Sequence, residues 1–205
     1  MFIFRGFIYL FAVAGVAQLI SLEGYQFQTA AQYSEQTLTE HMQDFMSFFS
    51  CLLFLYAARL DKKLNIAATL LGALSAMMFV RESDSLLDQY VFDGAWQAIV
   101  SMIFVCVVIA LWGRFSSIYA SLKEYSQQPS FGTFLAGFVT IMAFSRLLGR
   151  GSFWQAVMGD SYMRLVKNIV EEGIETLGYT LILISAVELA LACRRRQKSV
   201  RAAHS

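Results

Sequence analysis

Residues 168–193 read NIVEEGIETLGYTLILISAVELALAC, and they decide the fold class of this chain. A helix needs about 20 predominantly apolar residues to cross the hydrocarbon core of a bilayer, and this stretch meets that length. It is followed directly by Arg194, Arg195 and Arg196. Because Lys and Arg accumulate in cytoplasmic loops, the stretch predicts a transmembrane helix whose C-terminal end faces the cytoplasm.

The composition extends this prediction to the whole chain. Hydrophobic residues make up 57% of the 205 residues and charged residues only 15%, whereas soluble domains carry roughly 25% charged residues. We therefore predict an all-α, polytopic integral membrane helical bundle with about six transmembrane helices, forming a single domain over residues 1–205. The predicted spans are 2–22, 41–60, 65–81, 96–113, 131–149 and 168–193, with a basic cytoplasmic tail at 194–205.

The basic residues set the predicted orientation, because Lys and Arg are enriched on the cytoplasmic side. If the N-terminus lies in the cytoplasm, eleven of the 16 basic residues fall on that side. These are Arg5, Arg59, Lys62, Lys63, Arg114, Lys123, Arg194, Arg195, Arg196, Lys198 and Arg201. Both termini are then cytoplasmic, and the asymmetry is typical of a bacterial inner-membrane protein.

The segments between spans also carry patterns. Apolar residues recur at helical spacing between the fourth and fifth spans, which predicts an amphipathic helix on the cytoplasmic surface; they are Phe115, Ile118, Tyr119, Leu122 and Tyr125. Pro129 is predicted to begin the fifth span, because a proline in the first turn of a helix loses no needed hydrogen bond. Residues 83–94 and 152–164 are predicted to form short interfacial helices or ordered loops.

Carboxylates open two of the predicted spans, as Glu40-His41-x-x-Asp44 and as Glu171-Glu172-x-x-Glu175. Positions i, i+1 and i+4 lie within about 100° of one another on a helix, so each triplet occupies one face. Two such faces turned towards each other could enclose a cation. The predicted metal ligands are Glu40, His41, Asp44, Glu82, Glu172 and Glu175. Such an oxygen-rich set with one imidazole suits a divalent metal such as Mg, Ca, Mn, Fe or Zn.

Ordinary structural roles compete with a ligand role for the acidic residues. Thr37 and Glu40 have the spacing of a capping box, and Lys167 and Glu171 form an i,i+4 pair. Five other acids are predicted to be solvated loop charges: Glu23, Glu35, Asp88, Asp93 and Asp160.

Arg146 and Arg150 lie four residues apart near the end of the fifth span, so they share one helix face. Two roles are open for them. They either neutralise the neighbouring carboxylates or bind the phosphate or carboxylate of a lipid headgroup with their planar guanidinium groups.

Three functions are compatible with these patterns. In the first, an outward-facing carboxylate and histidine site binds a cation, or acts on or binds a lipid-like substrate, with Glu172, Glu175 and His41 as catalytic groups. In the second, the carboxylates carry protons or cations in a small transporter, with Glu188 as an inner relay. In the third, the chain is an accessory subunit that docks a membrane-protein partner. A formal net charge of only +1 predicts no nucleic-acid partner.

Overall fold

The computed structural model describes residues 2–26 and 38–203, and all regular structure among them is helical. The all-α prediction is thereby confirmed. The predicted capping residue Thr37 and the predicted loop charge Glu35 lie outside the described residues. The helices are α1 (Phe2–Gln26), α2 (Leu38–Leu60), α3 (Asn65–Glu82), α4 (Asp84–Tyr90), α5 (Ala95–Leu111), α6 (Phe115–Ser126), α7 (Pro129–Val139), α8 (Arg146–Leu148), α9 (Gly151–Met158) and α10 (Arg164–Ala203). A π-helix (Thr140–Ser145) joins α7 to α8, and a 3-10 turn (Gly159–Ser161) precedes α10.

Three helical stretches of the described residues are long and apolar enough to cross a membrane: Phe4–Tyr25, Pro129–Leu148 and Arg164–Ser199. Two bent pairs raise the number to five if each pair is one span: Asn65–Glu82 with Asp84–Tyr90, bent by 62°, and Ala95–Leu111 with Phe115–Ser126, bent by 106°. The helix α2 is not among them, since polar residues such as Gln43, Asp44 and Ser47 lower the hydropathy of its first half. The count of six spans stays a prediction.

Several local predictions correspond to helix boundaries in the structure. The helix α7 begins at Pro129, and α6 covers the predicted amphipathic segment. The residues Phe115 and Tyr119 of α6 are exposed, whereas Tyr125 is buried. The two segments predicted to be short interfacial helices or ordered loops contain the helices α4 and α9. Whether α6 lies on a membrane surface stays a prediction.

One compact unit comprises residues 1–43 and 135–181, and we call it unit 1. Its buried side chains are largely polar and include Thr39, Gln43, Ser145, Glu175, Thr176 and Thr180, beside the large side chains of Ile141 and Tyr179. Gly178 allows α10 to pack closely against α7 and the π-helix in this unit. A Cβ atom at Gly178 would overlap the Ile141 side chain and lie 3.0 Å from the Gly137 carbonyl oxygen. A small residue at such a crossing lets two helix backbones pack closely.

The second compact unit, unit 2, comprises residues 44–134 and 182–205. Its largest buried side chains are mostly apolar and include Phe54, Leu64, Ile182 and Leu189. Gly72 lets α3 pack directly on α2, because a Cβ atom at that position would lie only 2.9 Å from Cδ2 of Leu55. Unit 2 therefore has an ordinary apolar core, whereas unit 1 buries polar groups that need partners.

Candidate functional site

The most buried carboxylate of α10 is Glu175, which is only 5% exposed. Ser145, at the end of the π-helix, donates a hydrogen bond of 2.5 Å from Oγ to Oε1 of Glu175. Ser145 is itself fully buried. No ion pair links Glu175 to a Lys or Arg among the described residues. The alternative in which Arg146 or Arg150 pairs with this carboxylate is therefore not observed among these residues.

The chemistry of this contact permits a change of protonation state. A serine hydroxyl is both a donor and an acceptor, so it can donate to an ionised Glu175 or accept from a protonated one. A lysine or arginine partner would hold the carboxylate in its ionised form. The Ser145 hydroxyl can form a hydrogen bond with either form of a carboxyl group.

A second carboxylate of α10, Glu172, is hydrogen-bonded to Gln43 of α2. The Gln43 amide donates from Nε2 to Oε2 of Glu172 at 2.8 Å and to Oγ1 of Thr176 at 3.1 Å. The Thr176 hydroxyl donates back to the Glu172 carbonyl oxygen at 2.8 Å. Both Gln43 and Thr176 are completely buried. We call Gln43, Ser145, Glu172, Glu175 and Thr176 the carboxylate site.

The third carboxylate, Glu171, has an ordinary structural partner. Its Oε2 lies 2.6 Å from Nζ of Lys167, as the i,i+4 spacing predicts. The carboxylate also lies against the backbone of Gly149, where an added Cβ atom would overlap it. Glu171 therefore serves as a matched reference for Glu175, because both are glutamates of α10 one turn apart and only Glu171 has a cationic partner.

The π-helix places Ser145 at the carboxylate site. Its residues, Thr140–Ser145, interrupt the run of α7 and α8 within one apolar stretch. Single π-helical turns inside longer helices are rare and frequently mark functional sites. Gly178 lies about one turn after Glu175, and there the π-helix packs closely against α10 through Ile141.

Glu23 is a buried acid whose role was not predicted. It was expected to be a solvated loop charge, and this expectation is wrong, since Glu23 is only 5% exposed. Its carboxylate accepts hydrogen bonds from the N–H groups of Leu38 at 2.8 Å and Thr39 at 3.2 Å, and from the Thr39 hydroxyl. Glu23 therefore caps the N-terminus of α2 from α1, which satisfies donors that lack partners within the helix.

Of the other four predicted metal ligands, two belong to unit 1 and two to unit 2. In unit 1, His41 is exposed and Glu40 is partly buried. In unit 2, Asp44 accepts a hydrogen bond of 3.2 Å from the Ser83 hydroxyl, and Glu82 lies 3.4 Å from Arg81. Within residues 2–26 and 38–203, no three His, Cys, Asp or Glu side chains form a group that could hold a metal ion. The metal-binding prediction therefore gains no support.

Arg146 and Arg150 are exposed and pair with no carboxylate of the described residues. Charge compensation, the first of their two predicted roles, is thus not observed in this part of the chain. Their predicted role as anion or headgroup ligands stays a prediction.

Comparison with models of protein families, with curated proteins and with solved structures finds no match to this chain. The carboxylate site itself therefore provides the basis for a functional assignment.

Proposed function

We propose that this chain is a bacterial inner-membrane protein with six spans and both termini in the cytoplasm, and that its carboxylate site binds and releases a cation. The proton is the cation that fits the site best. Glu175 is the principal proton-binding group and Glu172 the second. The corresponding function is that of a small proton-coupled or cation-coupled transporter.

The single observation that carries this proposal is the environment of Glu175. A carboxylate that is 5% exposed on a helix long enough to span a membrane is costly to keep charged without a cationic partner. Its side-chain partner is the Ser145 hydroxyl at 2.5 Å. Proton uptake removes the charge and keeps the hydrogen bond, so the site supports a neutral and an ionised state.

The proton is favoured over a divalent metal because of the number of ligands that each needs. A divalent ion such as Mg²⁺ or Ca²⁺ requires six or more oxygen ligands, several from the protein, and His41 is exposed rather than directed into a buried cluster. A proton needs one carboxylate and one hydrogen-bond partner. Metal-dependent catalysis by Glu172, Glu175 and His41, a lipid-like substrate and a membrane-protein partner stay predictions.

Transport is tested with the full chain reconstituted in proteoliposomes that contain a pH-sensitive dye. An imposed ion gradient or membrane potential is expected to move protons in vesicles that contain the parent chain. Glu175→Gln is expected to reduce the rate to that of empty vesicles, because the amide cannot exchange a proton. Glu171→Gln is the matched control and is expected to retain most of the rate. Equal rates for the two variants would contradict the proposal.

The six-span topology is tested separately by labelling single cysteines in a variant that lacks Cys51, Cys106 and Cys193. Cysteines placed at Lys62 and Lys198 are expected to react only after the membrane is permeabilised, and one placed at Asp160 is expected to react in intact cells. The opposite pattern would reverse the proposed orientation without affecting the carboxylate site.

A further inference from the structure

A cavity of about 370 Å³ lies in unit 2 between the turn that joins α2 to α3 and one side of α6. Its volume falls within the range of sites for small ligands. Its polar lining includes Lys62, Lys63, Ser117 and Glu124, and Ile66 and Ala120 are apolar lining residues. The cavity uses none of the groups of the carboxylate site.

The backbone that carries the two lysines is fixed by hydrogen bonds. Ser121 of α6 accepts a hydrogen bond of 3.0 Å from the Ala67 N–H and donates one of 2.8 Å to the Lys63 carbonyl oxygen. The Lys63 N–H donates to Oδ1 of Asp61 at 2.9 Å. The turn is therefore pre-organised, which lowers the entropic cost of binding a ligand there.

The negative charge of the cavity wall is neutralised by Arg196, which lies beyond the predicted span 168–193. Its Nη1 lies 2.9 Å from Oε1 of Glu124 and 3.3 Å from Oδ2 of Asp61. An arginine side chain is effectively always protonated in proteins, so Arg196 stays charged. The lining residues Lys62, Lys63 and Glu124, together with Arg196 and Asp61, which are linked to Glu124 by these ion pairs, carry a net charge of +1.

The ammonium groups of Lys62 and Lys63 are available to a ligand. Both side chains are exposed, and neither forms an ion pair with another described residue. On the opposite side of α6 from the cavity-lining residues Ser117 and Glu124, Phe115 and Tyr119 are 75% and 71% exposed. A helix with one polar side and one exposed apolar side is typical of a segment at the level of phospholipid headgroups, where basic groups attract anionic lipids.

We propose that this cavity binds a phosphate group between Lys62 and Lys63, with Ser117 as a further hydrogen-bond donor. The group belongs either to an anionic phospholipid of the surrounding leaflet or to a soluble phosphate ester. Ile66 and Ala120 would contact the carbon atoms next to the phosphate group in either ligand. In the proposed topology the cavity lies on the cytoplasmic side, where anionic lipids attract juxtamembrane lysines.

The test measures the thermal unfolding of the full chain in a neutral detergent during titration with phosphatidylglycerol, phosphatidylcholine or glycerol 1-phosphate. Phosphatidylglycerol is expected to raise the melting temperature more than phosphatidylcholine does. If glycerol 1-phosphate acts at the same concentrations, the ligand is a soluble phosphate ester. If it does not, the ligand is the lipid. Equal effects of the two phospholipids, with none from glycerol 1-phosphate, would overturn the proposal.

The variant Lys62→Ala with Lys63→Ala is expected to raise the half-saturating concentration of the active ligand on the order of tenfold or more. Arg194→Ala with Arg195→Ala is the control, since it removes the same charge from exposed positions outside the cavity. Half-saturating concentrations that are equal in the two double variants would overturn the proposal, because a general attraction to basic residues would then account for the binding.

A loss of binding could also result from misfolding of a variant. A variant that is expected to strengthen binding excludes this explanation. Glu124→Gln removes the one carboxylate of the cavity lining and raises the local net charge from +1 to +2. It is expected to lower the half-saturating concentration several-fold. Weaker binding by a variant that unfolds like the parent would contradict the assigned site.

Discussion

The Ser145 hydroxyl and the Glu175 carboxylate form a hydrogen bond of 2.5 Å between two almost completely buried side chains. One end of this contact belongs to the π-helix and the other to α10. A hydrogen bond between buried groups is costly to leave unmade, so the contact contributes to both stability and proposed chemistry.

Ser145→Ala is expected to lower the free energy of unfolding by about 1–3 kcal/mol, because Glu175 loses its buried donor. Denaturant unfolding in detergent micelles, followed by circular dichroism, measures the change. Ser152→Ala is the control, since Ser152 is exposed on α9. A Ser145→Ala variant as stable as the Ser152→Ala variant would show that the hydrogen bond adds nothing to stability.

Gln43→Glu is expected to destabilise the chain in a pH-dependent manner, because it places a second carboxylate against Glu172. The two groups share a proton at low pH and repel each other when both are ionised. The deficit in melting temperature relative to the parent is therefore expected to be small at about pH 5 and larger at about pH 8. Gln155→Glu, at an exposed position of α9, is expected to show no such trend. A deficit for Gln43→Glu that does not change with pH would exclude carboxylate repulsion.

Gly178→Ala is expected to lower the free energy of unfolding by about 1–3 kcal/mol, as over-packing does at a tight contact. The new methyl group would overlap the Ile141 side chain and approach the Gly137 carbonyl oxygen. Gly173→Ala, on the same helix, meets only an ordinary contact at 3.8 Å with Ile20. That control is expected to be neutral or stabilising, because alanine has the higher helix propensity. If Gly178→Ala were more stable than Gly173→Ala, the tight contact at Gly178 would be refuted.

Glu23→Ala is expected to cost about 0.5–2 kcal/mol, the usual range for loss of a helix cap. Hydrogen exchange provides a local readout. The amide hydrogens of Leu38 and Thr39 are expected to exchange faster in Glu23→Ala, and less so in Glu23→Gln, which keeps one acceptor oxygen. Asp160→Ala, at an exposed position, is expected to leave these two amides unchanged. Unaltered exchange of these amides in Glu23→Ala would mean that Glu23 does not stabilise the N-terminus of α2.

Much of the fold could be predicted from local patterns. The apolar run of residues 168–193 and the three arginines that follow it predicted α10, and the missing N–H of Pro129 predicted the start of α7. The spacing of the apolar residues at 115–125 predicted α6. These signals depend on composition and periodicity within one segment, so they can be interpreted without knowledge of its neighbours.

The contacts of the carboxylate site were harder to predict, because they depend on which side each helix turns towards its neighbours. The first turns of α2 carry polar residues on several sides of the helix, so the sequence does not fix which side contacts α10. The structure places Gln43 against Glu172, although Gln43 was not among the predicted site residues. The π-helix that positions Ser145 changes the local register, and no residue type marks it. The cap by Glu23 joins groups 15 and 16 residues apart in sequence, which no local motif encodes.

The central claim, that Glu175 exchanges a proton within a spanning helix, is tested most directly by infrared difference spectroscopy of the reconstituted chain as the pH is changed. The parent is expected to show a carbonyl stretching band of a protonated carboxylic acid that disappears as the pH rises. This band is expected to be missing in Glu175→Gln and present in Glu171→Gln. A pH-dependent band that persists unchanged in Glu175→Gln, or the absence of any such band in the parent, would contradict the account.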